Sequence, residues 1–79
     1  MRSSFEIIAE ILETSKNGAK KTRIMYSCGL SFRFVQKYLD LLLENGLLSL
    51  GDSYKTTPRG MGFLHRYQRL ELLMNAQQC

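Results

Sequence analysis

Residues 31–45 read SFRFVQKYLDLLLEN, and Gly46 follows at once. At about 100° per residue, Val35, Leu39 and Leu42 fall on one line with Phe32 and Tyr38 at its edges, while Arg33, Gln36, Lys37, Asp40 and Glu44 fill the opposite arc. The spacing predicts one amphipathic helix. Ser31 offers an N-cap hydroxyl to the orphan amides of the first turn, and Asn45-Gly46 supplies a left-handed stop. The exposed arc is graded, with Arg33, Gln36 and Lys37 in its first half and Asp40 and Glu44 in its second. A helix that enters a DNA groove by its N-terminal end has this distribution. The solvated face of a bundle helix has it too, and this helix alone fits either.

Upstream, Ser3-Ser4-Phe5-Glu6 has the form of a capping box, with Ser3 serving the third amide and Glu6 reaching back to the cap. Phe5, Ile8 and Leu12 form the expected buried line with Ile11 beside them, and Glu6, Glu10 and Glu13 fall on the far side, away from any nucleic acid. Lys16-Asn17-Gly18-Ala19 is a turn. A short second helix from about Lys20 to Cys28 buries Ile24, Cys28 and Met25 and leaves Lys21 and Arg23 outside. Gly29 closes it, Leu30 packs inward, and Ser31 opens the next helix. Helix, tight glycine-containing turn, helix is the helix-turn-helix layout, with residues 31–45 as the groove-facing member.

After Gly46 the period changes. Leu47-Leu48-Ser49-Leu50 and Ser53-Tyr54-Lys55-Thr56, split by Gly51-Asp52, predict a two-stranded hairpin, and three helices followed by a hairpin make a winged helix. Thr57-Pro58 marks the start of a last helix, in which Gly60 and Gly62 each need a packing reason. Along it Phe63, Tyr67, Leu70, Met74 and Gln77 recur at spacings of four and three, a short coiled-coil seam. Leu64, Leu72 and Leu73 add apolar surface on other faces, which favours pairing with a second copy over a helix packed solely on its own domain. The expected class is therefore mainly α with a small β-hairpin. Residues 1–57 form the winged helix-turn-helix, and residues 58–79 form a dimerisation helix within the same domain.

The totals agree with that class. A chain of 79 residues has a core small enough to gain from a partner. Its 44% hydrophobic and 23% charged content belongs to a folded protein. No apolar run approaches the roughly 18 residues of a membrane span, and an intracellular, nucleoid-associated location is expected. The net charge of +4 is mild but unevenly placed. From Thr14 to Leu39 every charge is positive (Lys16, Lys20, Lys21, Arg23, Arg33, Lys37), and from Ser53 to Leu70 so are Lys55, Arg59, Arg66 and Arg69. Segregation of this kind points to a polyanionic partner.

The run from Ile11 to Gly60 resembles the archaeal winged helix-turn-helix proteins, small regulators and chromatin-associated proteins of archaea and their viruses. The residues that carry the resemblance are Gly18-Ala-Lys-Lys-Thr-Arg-Ile-Met25, the Leu30-Ser31 turn, Tyr38-Leu39 with Leu42-Leu43, Asn45-Gly46-Leu47, Tyr54-Lys55 and Thr57-x-x-Gly60. It implies double-stranded DNA binding by a homodimer whose C-terminal helices pair. Two departures stand out: Phe34 occupies a position usually polar in such proteins, and the last helix is short for a long antiparallel coiled coil. Phe34 then lies against thymine methyls or against a neighbouring helix.

On this reading Arg33, Gln36 and Lys37 enter the major groove, Arg33 pairing with guanine and Gln36 with adenine. Ser31, Lys20, Lys21, Thr22 and Arg23 hold phosphates, and Tyr54 with Lys55 reaches the backbone or the minor groove. The competing reading is a protein-interaction module with Phe34, Leu41 and the last helix as partner surface. An enzyme is the weakest class, since no paired carboxylates, Gly-rich phosphate loop or partnered histidine is evident, and His65 is expected at a surface or interface. Cys28 and Cys79 have no metal-ligand spacing, and no metal or cofactor is expected. Cys28 suits a small core position, and Cys79 is a free thiol or a cross-link between two chains.

Overall fold

The computed structural model describes residues 2–77, with side chains through residue 75. Six elements follow one another: α1 (Ser4–Thr14), α2 (Lys21–Cys28), α3 (Phe32–Glu44), β1 (Leu48–Leu50), β2 (Tyr54–Thr56) and α4 (Pro58–Gln77). The elements are those expected, in the expected order, and the architecture is mainly helical with one hairpin. Cys79 lies outside the described residues, as does the side chain of Gln77.

In α1 the cap forms as the sequence demands, with Ser3 Oγ accepting from the Glu6 amide at 3.2 Å. The Glu6 carboxylate takes the Ser3 hydroxyl at 3.4 Å, where the capping box would have it reach the Ser3 backbone amide. Ile8, Ala9, Ile11 and Leu12 are buried. Phe5, expected in the same line, is 62% exposed. It sits in the first turn, where Phe63 of α4 lies beside it as a stacked ring with centroids 6.4 Å apart.

The second helix begins at Lys21, one residue later than the spacing suggests, because Lys20 takes the cap position in extended conformation. Ile24 and Cys28 turn into the core and Gly29, at φ 63°, ends the helix in the left-handed region where a side chain is costly. Two residues later Ser31 caps α3 by accepting from the Phe34 amide at 3.3 Å. The buried face of α3 is Val35, Leu39 and Leu42, and Gly46 at φ 71° turns the chain into the hairpin.

The strands are each one residue shorter than expected and pair antiparallel, Leu48 with Thr56, Ser49 with Lys55 and Leu50 with Tyr54. Two three-residue strands are marginal alone. A bridge from outside the hairpin supports them: the Ala19 and Tyr54 amides exchange 2.9 Å bonds with each other's carbonyls. That pairing joins the turn after α1 to the hairpin, across more than thirty residues of chain.

The last helix opens on Thr57, whose hydroxyl accepts from the Gly60 amide at 3.0 Å and donates to the Gly46 carbonyl at 2.6 Å. Gly60 is buried because α4 crosses the start of β1 there; a Cβ would stand 2.2 Å from the Leu47 carbonyl oxygen. Leu64, expected as surplus surface, is 2% exposed and belongs to the core with Ile11, Leu12, Ile24, Leu39, Leu42 and Leu48. It faces α1 and is the anchor that holds α4 to the domain. Beyond it Leu70, Leu72, Leu73 and Met74 are all more than half exposed.

Candidate nucleic-acid interface

Helix α2, the turn at Gly29-Leu30 and helix α3 together present the basic side of the molecule. Lys20, Thr22 and Arg23 are exposed on or just before α2, and Ser31, Arg33 and Lys37 are exposed along the first half of α3. Arg33 and Lys37 stand one helical turn apart and make no hydrogen bond or ion pair among the described residues. Their charges are free for an outside anion. Lys55 is exposed in the middle of β2, opposite Ser49, whose hydroxyl donates to the Lys55 carbonyl at 3.3 Å. Tyr54 is half-buried and packs against the core, as its pairing with Ala19 requires.

Two members of the basic set are bonded to each other. The Lys21 ammonium donates to Gln36 Oε1 and lies 3.9 Å from the centroid of the Phe32 ring. Gln36 Nε2 in turn donates to Asp40 Oδ1 at 2.8 Å. Sequence reasoning gives Phe32 and Asp40 no role here. The available signal is their spacing, since Phe32, Gln36 and Asp40 are four apart and share a flank of α3.

Phe34 is 53% exposed on another flank of the same helix, one turn before Tyr38, whose hydroxyl donates to Ser4 Oγ at 3.3 Å. Leu41, two turns on, is 44% exposed.

Four of the seven acids lie elsewhere. Glu6, Glu10, Glu13 and Glu71 line a recess between α1 and α4 with Leu64 and Tyr67. Arg2 pairs with Glu10 and donates to the Cys28 carbonyl, and Lys16 pairs with Glu13 at 3.3 Å. These four acids and the bases of α2 and the first half of α3 are thus on different sides, with Asp40 and Glu44 in the second half of α3, which strengthens the local potential at the N-terminal end of α3 beyond what the net charge suggests.

A second feature lies along α4. Phe5, Leu47, Phe63, Tyr67 and Leu70 line an open groove of about 650 Å³, with Arg59 and Arg66 among its walls. Phe63 and Tyr67 are half-buried and Leu70 and Met74 are exposed, so the expected seam runs out from the domain onto a bare helix. His65 is exposed. Among the described residues no three metal-ligating side chains converge, and no helix is long and apolar enough to cross a membrane.

The winged helix-turn-helix family matches residues 1–75, which hold every element just described but the last two residues of α4. The chain belongs to the winged helix-turn-helix family. Among relatives of this winged helix-turn-helix protein, the uncharacterized protein MJ0287 of Methanocaldococcus jannaschii is 37% identical over 78 residues, which cover 96% of this chain and 80% of that one. The uncharacterized protein MJ0290 of the same organism is 35% identical over 71 residues, and there the match spans only about a third of the relative's length, 34%. Among solved structures, Sso10a-2, described as a DNA-binding protein from Sulfolobus solfataricus, superposes with a TM-score of 0.80. It shares 28% identity over 98% of this chain and 90% of its own. The resemblance to archaeal winged helix-turn-helix proteins therefore holds in family, in fold and in the source of its relatives.

Proposed function

We propose that this protein binds double-stranded DNA as a homodimer and acts as a transcription regulator with full or partial sequence specificity. Helix α3 enters the major groove by its N-terminal half, where Arg33 is placed for the bidentate pairing that guanine offers and Lys37 for a phosphate. Lys20, Thr22, Arg23 and the Ser31 turn hold the backbone, and Lys55 on the wing reaches it from the other side. The single observation that carries the reading is that Arg33 and Lys37 stand exposed and unpaired in the first half of the helix that the family fold offers to a groove, with the acids of α1 and Glu71 on another side. The description of Sso10a-2 as DNA-binding supports it. On this reading the protein works at the nucleoid, by binding and without catalysis.

Dimerisation runs through α4. Phe63, Tyr67, Leu70 and Met74, with Gln77 completing the repeat, form the seam, and residues 58–79 are the assembly element of the domain formed with residues 1–57. Exposed apolar side chains in a row at three- and four-residue spacing are what a second helix covers.

Fluorescence anisotropy on a random duplex of about 30 base pairs, titrated across salt, tests the reading. A dimer that neutralises about eight phosphates gives a log–log slope near −7. Arg33→Ala with Lys37→Ala is expected to weaken binding at every salt and to flatten the slope. Absence of binding at low salt, or an unchanged affinity in the double variant, would move the weight to a protein-interaction module.

A further inference from the structure

Lys21 and Gln36 come from different helices and both fall in the DNA-facing set, yet neither is free. The Lys21 ammonium donates to Gln36 Oε1 and rests on the Phe32 ring, and Gln36 Nε2 donates to Asp40. A positive charge on α2 is thus connected to a negative charge on α3 through a neutral amide. Both Lys21 and Gln36 are half-buried, whereas Arg33 and Lys37 are exposed.

We propose that Lys21 and Gln36 are positioning residues, whose bond, backed by Asp40 and Phe32, braces α3 against α2 and leaves contact with the DNA to Arg33 and Lys37. The proposal rests on the duplex-DNA reading above. An amide reads adenine by using its oxygen and one N–H together. In Gln36 one lone pair of the oxygen and one N–H are already engaged, which holds the amide in the orientation that serves Lys21 and Asp40 instead of leaving it free to turn its oxygen and N–H edge to adenine. Lys21, half-buried, is likewise held over the ring and against Gln36. The sequence assigns Lys21 to phosphates and Gln36 to adenine, and the geometry reassigns both. Asp40 also gains a reason to sit on a groove-facing helix, since its charge is answered within the protein.

The test uses the whole chain and the same random duplex. Lys37→Met serves as the phosphate reference and should flatten the log–log slope by about 0.9 for each phosphate it no longer neutralises. Lys21→Met should leave the slope at the wild-type value and lower affinity at fixed salt by about threefold, the scale of one modest hydrogen bond. Gln36→Leu should do the same, and the double variant should be no weaker than either single one. Lys21→Arg, which keeps a donor and a cation over the ring, should restore wild-type affinity.

A second readout needs no DNA. The side-chain amide signals of Gln36 in a ¹H–¹⁵N spectrum should move in Lys21→Met and in Asp40→Asn, and stay in place in Lys37→Met. A slope flattened by Lys21→Met as much as by Lys37→Met, or Gln36 signals indifferent to Lys21, would overturn the brace. Failure of the wild type to bind any duplex would instead overturn the DNA reading, with the amide signals still reporting on the brace itself.

Discussion

The hydroxyl of Thr56, in the wing, donates a 2.6 Å hydrogen bond to the carbonyl oxygen of Leu12, in the last turn of α1. Leu12 offers one of the carbonyls that a helix end leaves without an intrahelical partner, and the wing supplies the missing donor. The Thr56 amide adds a 3.0 Å bond to the Ser15 carbonyl. Wing and first helix are therefore tied by side chain and backbone at one point. Thr56→Val keeps the shape and removes the hydroxyl at a site only 7% exposed. A loss of about 1–3 kcal/mol is expected, because the buried Leu12 carbonyl loses its donor. Urea unfolding should show a lower midpoint at an unchanged m-value; an unchanged midpoint would mean that the bond contributes nothing.

Gly60 and Gly62 should respond oppositely to the same substitution. A Cβ on Gly60 meets the Leu47 carbonyl oxygen at 2.2 Å and Thr56 Cγ2 at 2.7 Å, so Gly60→Ala must push α4 off the hairpin. The gain in helix propensity, about 1 kcal/mol, does not offset a displacement of packed backbone, and a net loss of about 2 kcal/mol or more is expected. Around Gly62 there is open space within 4 Å, and Gly62→Ala should stabilise by about 0.5–1 kcal/mol. Thermal melts of the two variants decide the matter by sign.

Leu70 and Met74 are 59% and 57% exposed, on the stretch of α4 past its anchor at Leu64. Leu70→Asp with Met74→Asp should convert the particle from two chains to one by light scattering, because two carboxylates on each helix would face each other across the seam. The core touches neither residue, so the circular-dichroism signal of the first three helices should persist. A wild type already at one chain mass would remove the seam from consideration.

Burial pushes the Cys28 thiol above its ordinary pKa, while the Thr14 hydroxyl 4.0 Å from the sulfur works weakly the other way. The folded chain then keeps that proton to higher pH than the unfolded one. The associated stability is complete below the ordinary thiol range and is lost as pH rises from about 8.5 upward. In a Cys79→Ser background, the drop in urea midpoint between about pH 7 and about pH 10 should be larger for Cys28 than for Cys28→Ala. Equal drops in the two proteins would exclude the thiol as the cause.

Most of the fold is legible in local chemistry. Ser3, Ser31 and Thr57 cap the helices whose starts they mark, Gly29 and Gly46 stop the helices they follow, and Val35, Leu39 and Leu42 face inward as their spacing requires. Periodicity reports which side of a helix is apolar and stays silent on how far the domain extends along it. Phe5 carries the right phase and still lies mostly in solvent, whereas Leu64, out of phase with the seam, proves to be the anchor. The bonds of Ala19 to Tyr54 and of Lys21 to Gln36 join residues that no local pattern relates, so nothing in the sequence foretells them. The candidate interface is legible as a set of charges. Which of them are already engaged is not.

The strand β2 is held along its length by the segment that ends α1, Thr56 at the root by Leu12 and Ser15 and Tyr54 at the far end by Ala19, and beyond that last rung the loop is closed by a 3.2 Å bond from the Gly51 amide to the Ser53 carbonyl. Strand and loop therefore differ in how much change they tolerate. Insertions between Leu50 and Ser53 can lengthen the reach of the wing without disturbing the domain, and a lineage can retarget that reach by indels alone. A deletion of the first nineteen residues, by contrast, would strip β2 of its bonds to Leu12, Ser15 and Ala19 and leave the hairpin only what α3 and α4 supply.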